Sequence, residues 1–420
     1  MPNARVLPEG RPVSKSSSRL TRFLAVAGPG LVVMLADTDV GSVITAGQSG
    51  LQWGYRLLLL QLLLIPILAV VQELTVRLAI FTGRGHGELI REIFGPAWAW
   101  LSATGLAIAC IGALLTEFSG VAGVGELFGV SRNITLPMAA VALLAIVATG
   151  SYRRVELVAI GIGLFELAFV GVAWAARPDG ATMLAQAINI PWTDSKYLYL
   201  VAANIGAVIM PWMVFYQQSA VADKKLRPEH YSAAKWDTIA GAVLTQLVMA
   251  AVLIAAATTL APGTTSSLEN VGDLSRALTP VLGLEAGRIV FGLGTLGAAL
   301  VSAIVTSLAL AWGLGEVAGY RRSLEYYPLQ ARWFYGVYGL CICGGALMVG
   351  VAPDLVSLNV GVQVMNALML PLVLGFLIAL AIRALPAERR LRGWYLWLVL
   401  AITVICCAFG LIGGIGGLLE

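Results

Sequence analysis

The chain carries little charge for its length. Only 12% of its 420 residues are Asp, Glu, Lys or Arg, whereas 59% are hydrophobic. A soluble globular domain has roughly 25% charged residues, about twice this share. So low a charge along the whole chain excludes an ordinary soluble domain. It predicts an all-α polytopic membrane protein, whose main solvent is lipid.

The chain also lacks the short motifs that mark many enzymes. It contains no nucleophile elbow, no His-Glu-x-x-His pair and no phosphate-binding loop. These absences argue against an enzyme and against an ATP-driven pump, and we expect no cofactor. The basic residues form no patch, so nothing indicates a nucleic-acid partner.

Histidine and cysteine are scarce as well. The two histidines, His86 and His230, fall between predicted spans, where we expect solvated side chains. No Cys-x-x-Cys or Cys/His spacing indicates a zinc site. We expect all the cysteines to be small buried hydrophobic residues; they are Cys110, Cys341, Cys343, Cys406 and Cys407.

Long apolar runs are abundant instead, and a bilayer crossing needs about 20 apolar residues. Glycine and serine in the segment 286–315 leave open a break within that helix. The eleven predicted spans are 23–50, 56–80, 99–127, 134–150, 155–176, 198–220, 237–260, 286–315, 333–352, 355–382 and 393–415.

The basic residues predict how these spans are oriented. If the N-terminus lies in the cytosol, all but six of the 27 Lys and Arg residues fall on the cytosolic side, as the positive-inside rule requires. The six are Arg56, Arg132, Arg177, Lys196, Arg276 and Arg288. We therefore expect a cell (inner) membrane protein with its C-terminus outside. Residues 1–22 lack a signal-peptide cleavage site and are predicted to be a disordered cytosolic tail.

Two predicted spans contain features that are costly inside a membrane. The first has a Gly-Pro-Gly sequence followed by Asp37 and Asp39, and the sixth has Asn204 and then Met210-Pro211. Irregular backbone at membrane depth is tolerated only where it lines a cavity or is buried in protein. Because these spans hold matching positions in two five-helix halves, the pair predicts a substrate site of the inverted-repeat transporter type.

The residues around these breaks resemble those of the Nramp family of divalent-metal transporters. Asp39-Val40-Gly41-Ser42 stands where the family has Asp-Pro-Gly-Asn, and Thr45, Gln48 and Gly50 follow in register. The other matching segments are Gly54-Tyr55 through Gln72, Thr82-Gly83-Arg84, Glu88-Leu89, Arg91-Glu92, Tyr152 to Glu156, Met210-Pro211, and Gln363 before Leu370-Pro371.

The resemblance implies a LeuT-like fold, a five-plus-five inverted repeat with an eleventh helix and with helices 1 and 6 broken. The first repeat would comprise residues 23–176 (helices 1–5) and the second residues 198–382 (helices 6–10), followed by helix 11 at 393–415. It also implies a divalent metal ion as the substrate, held between the two breaks. The oligomeric state stays open.

The resemblance also implies which residues hold the ion. The implied ligands are Asp39, Ser42, Ala207 (through its carbonyl), Met210 and Gln363. In another register of the sixth helix, Pro211 takes the place of Met210. The accessory candidates are Asp37, Val40, Glu117 and Asn366. Asp37 is either part of an ion funnel or a polar seam, and Asn366 shares a helix face with Gln363. Glu117 and Glu166, alone within their spans, either relay a proton or are satisfied structural groups.

Four departures from the family pattern bear on the ion and on its coupling. Ser42 and Val40 replace an Asn and a Pro, and Trp212 and Gly120 replace a His and a Glu of the family's proton route. In these departures the chain resembles the Nramp-related magnesium transporters. We therefore expect Mg²⁺ import, with Mn²⁺ as a second ion and without proton coupling. The alternatives are a proton-coupled Mn²⁺/Fe²⁺ importer and, in another class, a divalent-cation channel or sensor.

Overall fold

The computed structural model describes residues 28–259, 283–351 and 359–418, and these residues form helices without a strand. The predicted tail at 1–22 lies outside them. The helices are α1 (Pro29–Asp37), α2 (Val40–Trp53), α3 (Leu58–Thr82), α4 (His86–Phe94), α5 (Pro96–Leu127), α6 (Arg132–Val147), α7 (Tyr152–Gly163), α8 (Ala168–Ala175), α9 (Gly180–Ala187), α10 (Ser195–Val208), α11 (Pro211–Asp223), α12 (Tyr231–Thr259), α13 (Leu284–Ala318), α14 (Arg332–Val351), α15 (Asn359–Arg383) and α16 (Gly393–Leu418).

The described helices account for eleven membrane crossings. Nine stretches are long and apolar enough to span a bilayer, and one of them, Val40–Thr82, includes a 3₁₀ turn that separates α2 from α3. The helix α1 begins the first span, and the shorter apolar helix α6 supplies the fourth. The fold is that of a polytopic all-α protein. We call the face that carries α4 the inner face, and the face that carries α9 the outer face.

Both expected breaks are present. Helix α1 ends at Asp37, and the side chain of Asp39 caps the first turn of α2. In the sixth span α10 ends at Val208, and Pro211 is the first residue of α11, where its missing N–H removes no helical hydrogen bond. The backbone between the half-helices is therefore non-helical at mid-membrane in both spans.

The structure also decides the continuity of two other spans. The segment 286–315 contains no break, because α13 runs unbroken from Leu284 to Ala318. The fifth span is interrupted instead, by a 3₁₀ turn at Leu164–Leu167 that contains Glu166. A short 3₁₀ stretch within a long helix is common at strained or functional positions. Of the predicted spans, residues 23–27, 260, 352 and 355–358 lie outside the described part of the chain.

Two expectations about individual side chains are wrong. His86 is buried rather than solvated: its Nδ1–H donates to Oε1 of Gln218 over 2.9 Å, and its ring packs edge-on against Phe215. It lies in α4, which docks against the bundle instead of standing in water. Among the cysteines, Cys343 is exposed on the surface of α14 and Cys407 is only half-buried, whereas the other three are buried as expected.

A polar junction at the inner face fixes the eleventh span. The carboxylate of Glu73 on α3 accepts two hydrogen bonds from Arg77, each of 2.9 Å, and one of 3.0 Å from the hydroxyl of Tyr395 on α16. The hydroxyl of Tyr231 at the start of α12 donates to the same carboxylate. Because Glu73 is almost fully buried, its charge depends on these donors.

Candidate metal-binding site

Asp39 lies at the centre of the first break. Its Oδ1 accepts the backbone N–H of Ser42 over 2.6 Å, as an N-cap residue does. Its Oδ2 has no hydrogen-bond partner although the residue is completely buried. One carboxylate oxygen therefore holds the helix end, and the other is free to bind a cation.

A hydrogen bond joins the two breaks. The hydroxyl of Ser42 donates to the backbone carbonyl of Ala207 over 3.1 Å. Ala207 lies in the last turn of α10, where carbonyl groups have no partner within the helix. Two of the predicted ligands thus meet directly, and a shift of either half-helix would break this contact.

Helix α15 reaches both breaks through Gln363. A Cβ atom added to Gly41 would lie 2.1 Å from Nε2 of Gln363, and one added to Gly206 would lie 1.9 Å from its backbone carbonyl oxygen. Glycine at these two positions therefore permits Gln363 to approach both breaks closely. The Gln363 amide, which is fully buried, lies next to the Asp39 side chain, and its role as an ion ligand stays a prediction.

Asn366 supports this arrangement from the same helix face. Its Nδ2 donates to Oε1 of Gln363 over 3.0 Å, which confirms the predicted shared face. The bond directs the amide nitrogen of Gln363 towards Gly41 and Asp39. A half-turn of the amide group would present the oxygen instead, so Gln363 has both a donor and an acceptor available at the site.

In the second break Met210 has an extended backbone and a fully buried side chain. Pro211 follows within the helix. Met210 therefore occupies the non-helical position of the break, although its role as an ion ligand stays a prediction.

The remaining accessory candidates lie around the first break. The Val40 amide N–H points at Oε2 of Glu117 on α5, at 3.4 Å, and the hydroxyl of Thr116 donates to the other oxygen of that carboxylate over 3.3 Å. Glu117 is thus held at the start of α2. Asp37 is buried, and neither of its carboxylate oxygens has a partner.

One contact at the break has no signal in the sequence. The hydroxyl of Thr38, between α1 and α2, shares a 2.7 Å hydrogen bond with the hydroxyl of Thr245 on α12. A single threonine in an apolar helix belongs to no motif. Only the packing of α1 against α12 brings Thr245 to the break.

Two of the family departures are in contact with each other. A Cβ atom on Gly120 would lie 2.4 Å from a methyl carbon of Val40, so the space next to Val40 depends on the missing side chain at position 120. Trp212, the residue after Pro211, is fully buried, and its indole N–H has no partner. In both places apolar packing stands where the family pattern has a titratable group.

The predicted ligand atoms between the breaks are suited to a hard, hydrated cation. The predicted ligands provide the carboxylate of Asp39, the hydroxyl of Ser42, the amide of Gln363 and the carbonyl of Ala207, and Met210 adds a soft thioether. Across the described ranges, no group of three or more His, Cys, Asp or Glu residues could hold a metal ion. So few protein ligands suit an ion that keeps several of its own water molecules.

The site is closed towards both faces. Towards the outer face, Asn204 donates to Ser49 over 2.8 Å and accepts from Gln61 over 2.6 Å. Towards the inner face, one carboxylate oxygen of Asp237 on α12 accepts backbone N–H groups at the start of α1, from Gly28 at 3.1 Å and Gly30 at 2.9 Å. Asp39 is accordingly not accessible to solvent from either face.

Comparison with known proteins agrees with this architecture. Residues 30–415 match the profile of the family described as Natural resistance-associated macrophage protein-like. The chain belongs to the Nramp family. This Nramp protein is 30% identical, over 335 residues, to the divalent metal cation transporter MntH of Yersinia pestis, a match that covers 77% of the chain and 79% of that relative. It is 29% identical over 313 residues to MntH of Erwinia tasmaniensis, covering 72% and 75%.

Solved structures show the fold of this Nramp protein. The manganese transporter of Eremococcus coleocola superposes with a TM-score of 0.77 at 19% identity, covering 97% of this chain and 88% of that one. Mhp1, a nucleobase-cation-symport-1 family transporter, superposes with a TM-score of 0.59 at 16% identity, covering 94% and 91%. The LeuT-like arrangement with broken first and sixth helices is thereby confirmed.

Proposed function

We propose that this Nramp protein imports Mg²⁺ into the cytosol by alternating access, with Mn²⁺ as a second substrate and without proton coupling. The observation that carries the proposal is the free oxygen of Asp39, buried between two broken helices that the Ser42–Ala207 bond joins. The relatives named as divalent metal cation transporters support the general class of substrate.

The choice of ion follows from the atoms that would bind it. Oxygen ligands select hard cations, and Mg²⁺ gives up its bound water reluctantly. A site with one free carboxylate oxygen and a few neutral dipoles can hold such an ion together with part of its water shell. The thioether of Met210 would add affinity for the softer Mn²⁺, which is why we include Mn²⁺ as the second ion.

The driving force follows from what the second break lacks. Its first helical turn holds Pro211 and the apolar-packed Trp212 in place of a proton-accepting group. An inside-negative membrane potential would suffice, because each charge that crosses about 100 mV gains about 2.3 kcal/mol and a divalent ion gains about twice as much. With the N-terminus inside, this field draws the ion from the outer face to the inner face.

During the conformational cycle, the contacts that close the outer face and those that close the inner face would open in turn. Opening to the outside would separate Asn204 from Ser49 and Gln61, whereas opening to the cytosol would withdraw the start of α1 from Asp237. The Ser42–Ala207 bond lies between the two closures, so an ion bound at Asp39 would act on both half-helix pairs. This is the behaviour expected of inverted-repeat transporters with a mid-membrane site.

The test is ion uptake into proteoliposomes with a pH-sensitive dye inside and the potential set by potassium and valinomycin. Voltage-driven Mg²⁺ entry without internal acidification is the expected result. Mn²⁺ entry that acidifies the lumen, with no Mg²⁺ entry, would contradict the proposal. That outcome would favour proton-coupled Mn²⁺ import, the second candidate, which is supported by the names of the relatives and by Glu117 beside the first break.

A channel is separated from a transporter by the same vesicles. In a transporter, internal unlabelled Mg²⁺ should accelerate the uptake of labelled Mg²⁺ at zero potential, and the rate should saturate. Flux that rises linearly with concentration and is not accelerated by internal Mg²⁺ would indicate a channel on the same scaffold.

A further inference from the structure

A second group of buried oxygen atoms lies on the other side of the first break. Asp39 faces α10 and α15, whereas Asp37 lies towards α7 and α12. Next to Asp37 are the hydroxyl of Thr245 and the carboxylate of Glu166, which itself lies beside Thr38. We call Asp37, Thr38, Glu166 and Thr245 the lateral cluster.

The carboxylates of the lateral cluster have no cationic partner. Asp37 and Glu166 are each 1% exposed, and none of their four oxygens accepts a hydrogen bond of good geometry. Their polar neighbours are single hydroxyls, that of Thr245 at Asp37 and that of Thr38 at Glu166, and no Lys, Arg or His within the described ranges pairs with either carboxylate. Buried carboxylates in proteins are normally paired, fully hydrogen-bonded or bound to a metal. Two buried carboxylates that interact with each other and have only these hydroxyls beside them indicate a missing ligand.

The local backbone supports the same reading. Glu166 sits in the 3₁₀ turn that interrupts the fifth span, and Asp37 is the last residue of α1. Both carboxylates are therefore presented by irregular backbone at membrane depth. Irregularities of this kind persist where they serve a site.

We propose that the lateral cluster is a second binding position for a divalent cation, formed by Asp37 and Glu166 with the hydroxyls of Thr38 and Thr245. The ligand atoms are all oxygen, which selects a hard cation. Two carboxylates balance the charge of one divalent ion, whereas a monovalent ion would leave one negative charge uncompensated in an apolar interior. The inference rests on the proposed function, since it assigns the same class of ion to a neighbouring position.

The cluster also touches the moving parts of the fold. Thr38 lies between Asp37 and Asp39, and its bond to Thr245 ties the break to α12. Withdrawal of α1 from α12 would open the lateral cluster and change the Asp39 site together. An ion leaving Asp39 would thus have a second set of carboxylate ligands within the same break.

The test counts ions bound to the purified full chain, with Mn²⁺ as the probe and the free-ion electron paramagnetic resonance signal as the readout. About two ions per chain are expected for the unchanged protein and about one for Glu166→Gln, because that change removes a charged ligand. Thr245→Val should weaken the binding of the second ion and leave the binding of the first unchanged. The matched control is Glu156→Gln, a buried glutamate of the same span whose carboxylate accepts a hydrogen bond from Lys224 over 2.8 Å, which should keep both ions.

The outcomes separate the two sites. Asp39→Asn should lose one ion and keep the one that Glu166→Gln loses. A single ion that disappears in Asp39→Asn and persists in Glu166→Gln would overturn the lateral cluster and leave the proposed function intact. A single ion with the reverse pattern would overturn the Asp39 site instead. Displacement of the second ion by sodium chloride, but not by choline chloride, would assign the cluster to a monovalent ion and overturn the proposal.

Discussion

Gly41 shows how one residue without a side chain shapes the candidate site. The space that a Cβ atom would take is occupied by the Gln363 amide, which lies against Asp39. Sequence could predict Asp39, Ser42 and Gln363, because they stand in a recognisable order around the breaks. It could not predict Thr245, since no local pattern distinguishes a threonine that faces a break from one that faces lipid.

We expect Gly41→Ala to abolish or strongly reduce Mg²⁺ uptake, because the added methyl group would displace Gln363 from the site. Overpacking of this kind costs about 1–3 kcal/mol, so the protein should still fold. The matched control is Gly361→Ala on the same helix as Gln363, where an added Cβ meets nothing within 4 Å. Uptake in proteoliposomes that is equal in the two variants would show that Gln363 is not needed at the site.

His86 predicts a pH dependence of stability. Burial lowers the pKa of His86 to about 4, whereas an unfolded histidine titrates near about 6.5. The unfolded chain therefore takes up this proton first, so the folded state loses stability as the pH falls from about 6.5 towards about 4. The loss is on the order of 3 kcal/mol.

In His86→Gln, the thermal unfolding midpoint should depend less on pH, between about pH 7 and about pH 4, than it does in the unchanged protein. The control is His230→Gln, because His230 is partly exposed and lies outside the α4 contact. If His86→Gln follows the same pH curve as the unchanged protein, the loss must arise at other groups.

At the scale of the helix, the inner closure is the contact between Asp237 and the start of α1. Asp237 accepts the N–H groups of Gly28, Gly30 and Leu31 with one oxygen, at 3.1, 2.9 and 3.3 Å. These groups belong to the first turn of a helix, which has no internal acceptors and carries a partial positive charge. A carboxylate from another helix thus serves as the N-terminal cap of α1.

Asp237→Asn should weaken this cap and shift the protein towards the state open to the inner face. The expected signature is faster hydrogen–deuterium exchange at Gly30 and Leu31, with little change in α10. Asp223→Asn is the control, since Asp223 is also an acceptor of a backbone N–H, but from Leu324 in a loop. Equal exchange in α1 for both variants would mean that other contacts hold the closure.

The elements themselves were mostly predictable from sequence, for a physical reason. Apolar runs of spanning length and the Met210-Pro211 pair locate helices and one break without tertiary information. The 3₁₀ turn at Leu164–Leu167 was missed, because its residues continue an ordinary apolar helix pattern. The docking of α4, which buries His86, depends on partners far away in the chain and was missed for that reason.

At the scale of the whole molecule, the free oxygen of Asp39 lies between the two broken helices and between the two closures. Asp39→Ala should therefore abolish uptake of both Mg²⁺ and Mn²⁺ while the chain remains folded. The matched control is Asp179→Ala, which should keep normal uptake. Asp179 caps α9 as Asp39 caps α2, with an oxygen 2.9 Å from the N–H of Thr182, but it lies on the exposed outer face. Normal uptake by Asp39→Ala would remove Asp39 from the site.

The junction at Glu73 has a consequence for how such proteins can diverge. Tyr395 on α16 supplies one of the donors that keep Glu73 satisfied, and the Arg77 guanidinium lies 5.3 Å from the centre of the Tyr395 ring. A descendant that lost its eleventh helix would remove this donor from Glu73 and uncover the Arg77 guanidinium at the inner face. Loss of the helix should therefore be accompanied by replacement of both residues, and sequences that end after ten spans can be searched for that paired change.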